Sequence, residues 1–96
     1  MIISANTINT ATTTPLRTAG SNAESHRLRV SNTGANTVTI NITYNGIAIF
    51  SNVVLYPKGS NTNFCFYEID LAPSAVLAVV TTTTDALTYY ISGGDI

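Results

Sequence analysis

From Ser25 onward, apolar and polar residues alternate with a period of two, the signature of strands half-buried against a core. Leu28 and Val30 fall on one side of the first such segment, and Arg27 and Arg29 on the other. Val38, Ile40, Ile42 and Tyr44 then alternate with Thr37, Thr39, Asn41 and Thr43, and Asn45-Gly46 follows at once. Asn-Gly between alternating segments predicts a type I′ hairpin, because both central residues of that turn need positive φ. Thr37 to Tyr44 is therefore expected to pair antiparallel with Ile47 to Val53. Asn63 to Asp70 alternates again with apolar groups on both faces: Phe64 and Phe66 on one, Cys65, Tyr67 and Ile69 on the other. That pattern predicts a strand that is central or covered on both sides, by a second sheet or by another subunit. Val76 to Thr82 is a near-continuous apolar strand, and Leu87 to Ile91 adds one in which Tyr89 and Tyr90 must face opposite ways. Helical i, i+3, i+4, i+7 spacing is absent.

Six to eight short strands, roughly 8 to 12 residues apart with turn chemistry between them, predict an all-β sandwich or small barrel rather than an open sheet; we read a small β-sandwich of jelly-roll-like form, which spacing alone does not separate from other Greek-key sandwiches. The polar stretch before Ser25 carries a Gly20-Ser21-Asn22 turn signal and isolated apolar residues at Ile2, Ile3 and Ile8. We read residues 1–24 as an extended N-terminal arm or an edge strand and residues 25–96 as the sandwich domain. An arm that pairs with a neighbouring subunit makes Ile2, Ile3 and Ile8 interface candidates. On that reading, deleting Met1 to Asn9 abolishes docking and leaves the fold intact. Gly93-Gly94-Asp95-Ile96 is expected to be a flexible tail.

Composition narrows the function. Ninety-six residues allow one core, and 45% hydrophobic content is enough to form it. Thr, Asn and Ser are abundant, which favours strands and turns. A net charge of -1 from only four Lys or Arg offers no basic field, so nucleic-acid binding through counterion release is not expected. The single cysteine, Cys65, cannot form an internal disulfide, and no apolar run is long enough for a membrane span. Met1 to Asn9 lacks the pattern of a secretory leader, so the chain is expected in the cytoplasm or in an assembly built there.

No catalytic or metal constellation can be assembled. His26, the one histidine, has no nucleophile elbow to serve and is expected at a strand edge near solvent. Cys65 between two phenylalanines reads as a small buried hydrophobe. Glu68 and Asp70 share a strand face, as do Arg27 and Arg29, so cross-strand ion pairs follow if the strands are neighbours. The same two arginines are candidates for contact with a partner. Tyr67 and Tyr90 are further interface candidates, because tyrosine contributes contact area with little loss of side-chain entropy. Exposed tyrosines also stack on sugars, which keeps carbohydrate recognition open. Cofactor binding and enzymatic activity are not expected.

The order Leu28-Arg29-Val30-Ser31-Asn32-Thr33-Gly34, a Val-Thr-Ile strand, Pro57-x-Gly59-Ser60, Ile69-Asp70-Leu71-Ala72-Pro73 and the closing Tyr90-Ile91-Ser92-Gly93 resembles small virion proteins of tailed bacteriophages. The resemblance implies a structural role: a decoration or cement protein, with localisation in the virion, bound to the major capsid protein or other virion subunits. By analogy with local threefold sites on capsids it also implies a homo-oligomer, with a trimer favoured. The alternative is a tail, neck or baseplate component that binds a carbohydrate receptor.

Overall fold

A computed structural model describes residues 2–8, 11–81 and 86–96. Eight strands follow one another: β1 (Ile2–Ile8), β2 (Thr13–Thr18), β3 (Glu24–Asn32), β4 (Val38–Tyr44), β5 (Ile47–Leu55), β6 (Phe64–Leu71), β7 (Val76–Thr81) and β8 (Leu87–Asp95). They form two four-stranded sheets, ordered β1-β8-β3-β6 (sheet A) and β2-β7-β4-β5 (sheet B), with every neighbour antiparallel. Only the β4–β5 hairpin stays within one sheet; every other connection changes sheet, the winding of an eight-stranded jelly roll.

Alternation along the strands builds the core. Leu28 and Val30 from β3, Leu87, Tyr89 and Ile91 from β8, Val38, Ile40 and Ile42 from β4, and Leu77 and Val79 from β7 are all buried in one cluster. Asn45 and Gly46 take φ values of 50° and 83°, the two left-handed residues that the hairpin signal requires. Beyond the turn, β5 loses strict register: pairing shifts between Ile40 and Thr43, and Asn52 adopts φ 54° with its N–H donating to Asn41 Oδ1 at 2.8 Å. At the end of β3, the buried Asn32 amide holds the following turn. Its Nδ2 donates to the Asn36 and Leu55 carbonyls, and its Oδ1 accepts from Gly34 N–H.

Several expectations change. Of the two readings of the N-terminal stretch, residues 2–8 and 11–24 take the edge-strand one and not the free arm: β1 is an edge strand of sheet A and β2 an edge strand of sheet B, with Ile8, Leu16 and Ala19 in the core. The core therefore does not begin at residue 25. Deleting Met1 to Asn9 would remove a whole strand and its buried Ile8, so it would not leave the fold intact. The C-terminal glycines belong to β8, held in register by Ile2 and His26 opposite Gly93. β6 is an edge strand rather than a central one, and no second sheet of this chain covers Phe64 and Phe66, which lie exposed on its outer side. Thr82, the expected end of the Val76 strand, lies outside the described residues.

Gly93 is required by close approach. A Cβ there would collide with the Ser25 carbonyl oxygen and come within 2.6 Å of His26 Nδ1, both fixed by the β3 backbone or by burial. Gly93→Ala is expected to lower stability by about 1–3 kcal/mol, the cost of overpacking a tight site. Chemical denaturation with an unchanged m-value checks this.

Candidate functional site

The outer face of sheet A is where chemistry collects. Register places Tyr90 of β8, Arg29 of β3 and Phe66 of β6 side by side in one row, with Ala5 of β1 beyond Tyr90. Tyr90 and Phe66 are 45% and 54% exposed. The Arg29 guanidinium sits 4.3 Å from the centroid of the Phe64 ring, a cation–π contact that keeps the arginine flat on the sheet. The next row along the strands holds Ile3, Ser92, Arg27 and Glu68, and the one after it Ser25, Gly94 and Asp70. Gly94, opposite Ser25 in that outward row, contributes no side chain, and a depression of about 490 Å³ lies here, walled by Arg27, Glu68, Ser92 and Asp95. An aromatic shelf thus borders an open polar cleft supplied with hydroxyl, guanidinium and carboxylate groups.

Arg27 and Glu68 face each other as the cross-strand pattern predicted, at 3.9 Å and both largely solvent-exposed. Such a pair contributes a few tenths of a kcal/mol at most, on the order of other exposed pairs. Both side chains therefore remain available to a ligand. Arg29 lies opposite Phe66 and Asp70 opposite Ser25, so the second arginine and second acid do not pair in register.

Beneath this face lies a charged cluster. Arg17, from the edge of sheet B, reaches Glu24 at the start of β3 with two parallel hydrogen bonds, Nε to Oε1 at 2.9 Å and NH2 to Oε2 at 2.7 Å. Gly20 N–H donates to the same carboxylate, and His26 Nε2–H donates to Oε1 at 2.7 Å. His26 is fully buried on an interior strand, which overturns the solvent-edge expectation; its Nδ1 has no hydrogen-bond partner among the described residues. His26 and Gly93 both line the depression, so the cluster supports its floor. Arg17 first, then His26 and the Gly20 amide, hold the Glu24 carboxyl well below the usual carboxylate range against the opposing effect of burial.

Of the expected interface residues, Arg27, Arg29, Tyr90 and the exposed Ile3 share the outer face of sheet A. The others do not join them. Ile8 is buried in the core, and Ile2 is half-buried with its side chain on the inner side of β1. Tyr67 turns inward and stacks on Phe50, ring centroids 3.8 Å apart and planes within 10°, closing the sandwich between the β5 and β6 edges. Cys65 is half-buried against the core, and burial pushes its thiol pKa up, as expected of a small hydrophobe. Among the described residues no three His, Cys, Asp or Glu side chains converge as metal ligands. Phe66, Ser92 and Asp95 were not singled out by sequence reading. Their membership depends on register across three strands, which no local motif encodes.

No protein-family model matches the chain, and no curated protein does. Among solved structures, it is similar to CBM35 from Paenibacillus barcinonensis, with TM-score 0.47 and 19% identity over 83% of this chain and 65% of that one. It is also similar to a family 35 carbohydrate binding module from Clostridium thermocellum, with TM-score 0.48 and 16% identity over 94% and 88%. A third likeness is to a cycloisomaltooligosaccharide glucanotransferase from Paenibacillus sp. complexed with cycloisomaltoheptaose, with TM-score 0.44 and 12% identity over 86% of this chain and 12% of the enzyme. The chain thus spans just under two thirds of the first of these and a small part of the third. At such low identities and TM-scores these likenesses assign neither family nor ligand, and the chemistry of the site rests on its own residues.

The cluster makes a pH prediction. Glu24 is depressed in the folded state, so its contribution is fully present above the unfolded carboxyl value of about 4.3. It is lost as pH falls from there towards the lower folded value, because the unfolded chain takes up the proton first. Thermal unfolding is expected to show a falling Tm below about pH 4.5. Glu24→Gln should lower Tm at neutral pH and flatten that acid slope.

Proposed function

We propose that the chain is a non-catalytic binding module that takes a carbohydrate on the outer face of sheet A. One observation carries the reading: the exposed Tyr90–Arg29–Phe66 row borders a polar depression on the same flat face. The shelf offers apolar ring faces to the C–H side of a sugar, where a tryptophan-free chain must rely on tyrosine and phenylalanine. Two residues along the same strands, Arg27, Glu68 and Ser92 present the donors and acceptors that sugar hydroxyls require, with Asp95 at the rim. Charged partners make those hydrogen bonds stronger than neutral ones. The absence of a side chain at the outward-facing Gly94 lets a ring approach the sheet backbone.

Tyr90→Ala and Phe66→Ala are each expected to weaken binding to a responsive glycan roughly tenfold, about 1.4 kcal/mol, without change in Tm. A glycan array followed by calorimetry on the best hit measures this. Binding that survives both substitutions, or no glycan bound at all, sinks the reading.

A second reading, attachment to a shell of repeated subunits as in the bacteriophage virion proteins that the sequence resembles, is favoured by a different observation. Across β2, β4, β5 and β7 the one charged residue is Arg17, and its side chain reaches Glu24, so sheet B turns an outer face of Thr, Asn, Ala and Val without charge to its surroundings. Val54, opposite Thr39, extends that uncharged surface along β5. A low-charge face suits burial against protein. Quantitative mass spectrometry of purified particles tests this: copies comparable to the major shell protein support decoration, and none in the particle removes it.

A further inference from the structure

We infer that β1 is a self-pairing edge, through which two copies of the chain join antiparallel about a twofold axis centred on Ala5. Each sheet ends in two edge strands, and three of the four carry a device that discourages further pairing. In β2, Pro15 removes a donor and the register breaks between Pro15 and Arg17. β5 is bulged at two places and kinked by the positive φ of Asn52. On β6, Glu68 and Asp70 project outward, where antiparallel self-pairing would crowd like charges.

β1 has none of these. Ile2–Ile8 contains no charge and no proline, and it pairs with β8 in unbroken register over all seven residues, Ile2↔Gly93 to Ile8↔Leu87. At this strand Thr7 N–H takes a side-chain oxygen, Asn6 Oδ1 at 2.8 Å, as its acceptor. A local bond of this kind is readily exchanged for a cross-strand one. Ile3 on its outer side is 57% exposed.

The occupant is a second copy because the strand is complementary to itself. Centring on Ala5 pairs every residue of β1. Ile3 then faces Thr7 of the second copy, Ser4 faces Asn6, and Ile2 faces Ile8, so no charge meets a like charge and Ile3 gains cover. The interface is isologous and closes at two copies. It therefore favours a dimer over the threefold assembly expected by analogy with capsid sites. The two A sheets become one eight-stranded sheet running β6-β3-β8-β1 and then β1-β8-β3-β6. Ala5 neighbours Tyr90, so the two tyrosines stand three strand spacings apart on one continuous face, roughly 14 Å. That last point rests on the proposed sugar platform; the dimer does not.

Sedimentation velocity of the full chain in the high-micromolar range, without ligand, tests the inference. The expected result is a species of twice the 10.2 kDa chain mass for the wild type and for Ala5→Val, and a single-chain species for Ala5→Lys. Thr7→Lys, at a second exposed position of the edge, should do the same, and circular dichroism confirms that each variant is folded. A wild type that remains a single chain overturns the proposal. So does a dimer that persists in the folded lysine variants, which would place the contact on another surface. Sugar binding by a single chain would leave the platform standing while removing the dimer, so the two ideas fail separately.

Discussion

A carboxylate buried in the body of a small sandwich is tolerable only if it is fully matched, and Glu24 is the point from which the rest of this structure takes its shape. Arg17 crosses from the edge of sheet B to meet it with a two-pronged bond, and the Gly20 amide and His26 ring complete its shell. Three consequences follow. The β2–β3 connection is tied down, the two sheets are held together at that end by charge as well as by apolar packing, and His26 is fixed in the core beside β8. Because His26 occupies that space, β8 can accept only glycine at position 93. The next residue, Gly94, faces outward opposite Ser25 and lines the depression on the outer face. Such a cluster is weak evidence for net stability, since well-packed apolar residues often do as well. Its clearer effect is positional: it fixes His26 against β8 and so restricts what β8 can carry at position 93.

Charge is distributed unequally between the two sheets. Arg27, Arg29, Glu68, Asp70 and Asp95 all belong to strands of sheet A, whereas the one charge in the strands of sheet B is turned to the interior partner Glu24. The two outer faces therefore meet different worlds. Sheet A combines aromatic rings with hydrogen-bonding groups at right angles to a flat surface, the arrangement suited to a small polar ligand. Sheet B offers uniform, low-charge contact area, the arrangement suited to another protein surface. The edges divide in the same way, three guarded by proline, bulges or acids and one left regular.

Much of the architecture was legible along the chain because period-two alternation is a local property. The β4–β5 hairpin, the strand at Leu28 and Val30, the opposite facing of Tyr89 and Tyr90 and the all-β class each depend on residues close in sequence. The Arg27–Glu68 pair was also anticipated, as a consequence of two strands being neighbours. The errors lie where a local signal has two tertiary outcomes. An apolar–polar stretch such as Ile2–Ile8 reads the same as a loose arm or an edge strand, and pairing with β8 decides between them. Phe64 and Phe66 suggested a covered strand, yet the β1-β8-β3-β6 order leaves β6 at the edge with both rings in solvent.

By itself, then, the sequence determined which residues face in and which face out on most strands and where the tight turn must fall. Only the tertiary structure decided which strands become neighbours. Sheet order and register join residues 37 and 61 positions apart, Arg29 with Phe66 and Arg29 with Tyr90, and no short-range pattern encodes such pairings. His26 shows the same division: its alternation with Arg27 was plain from the chain, but burial against Glu24 required knowing that an arginine from the opposite sheet would arrive to neutralise the carboxylate.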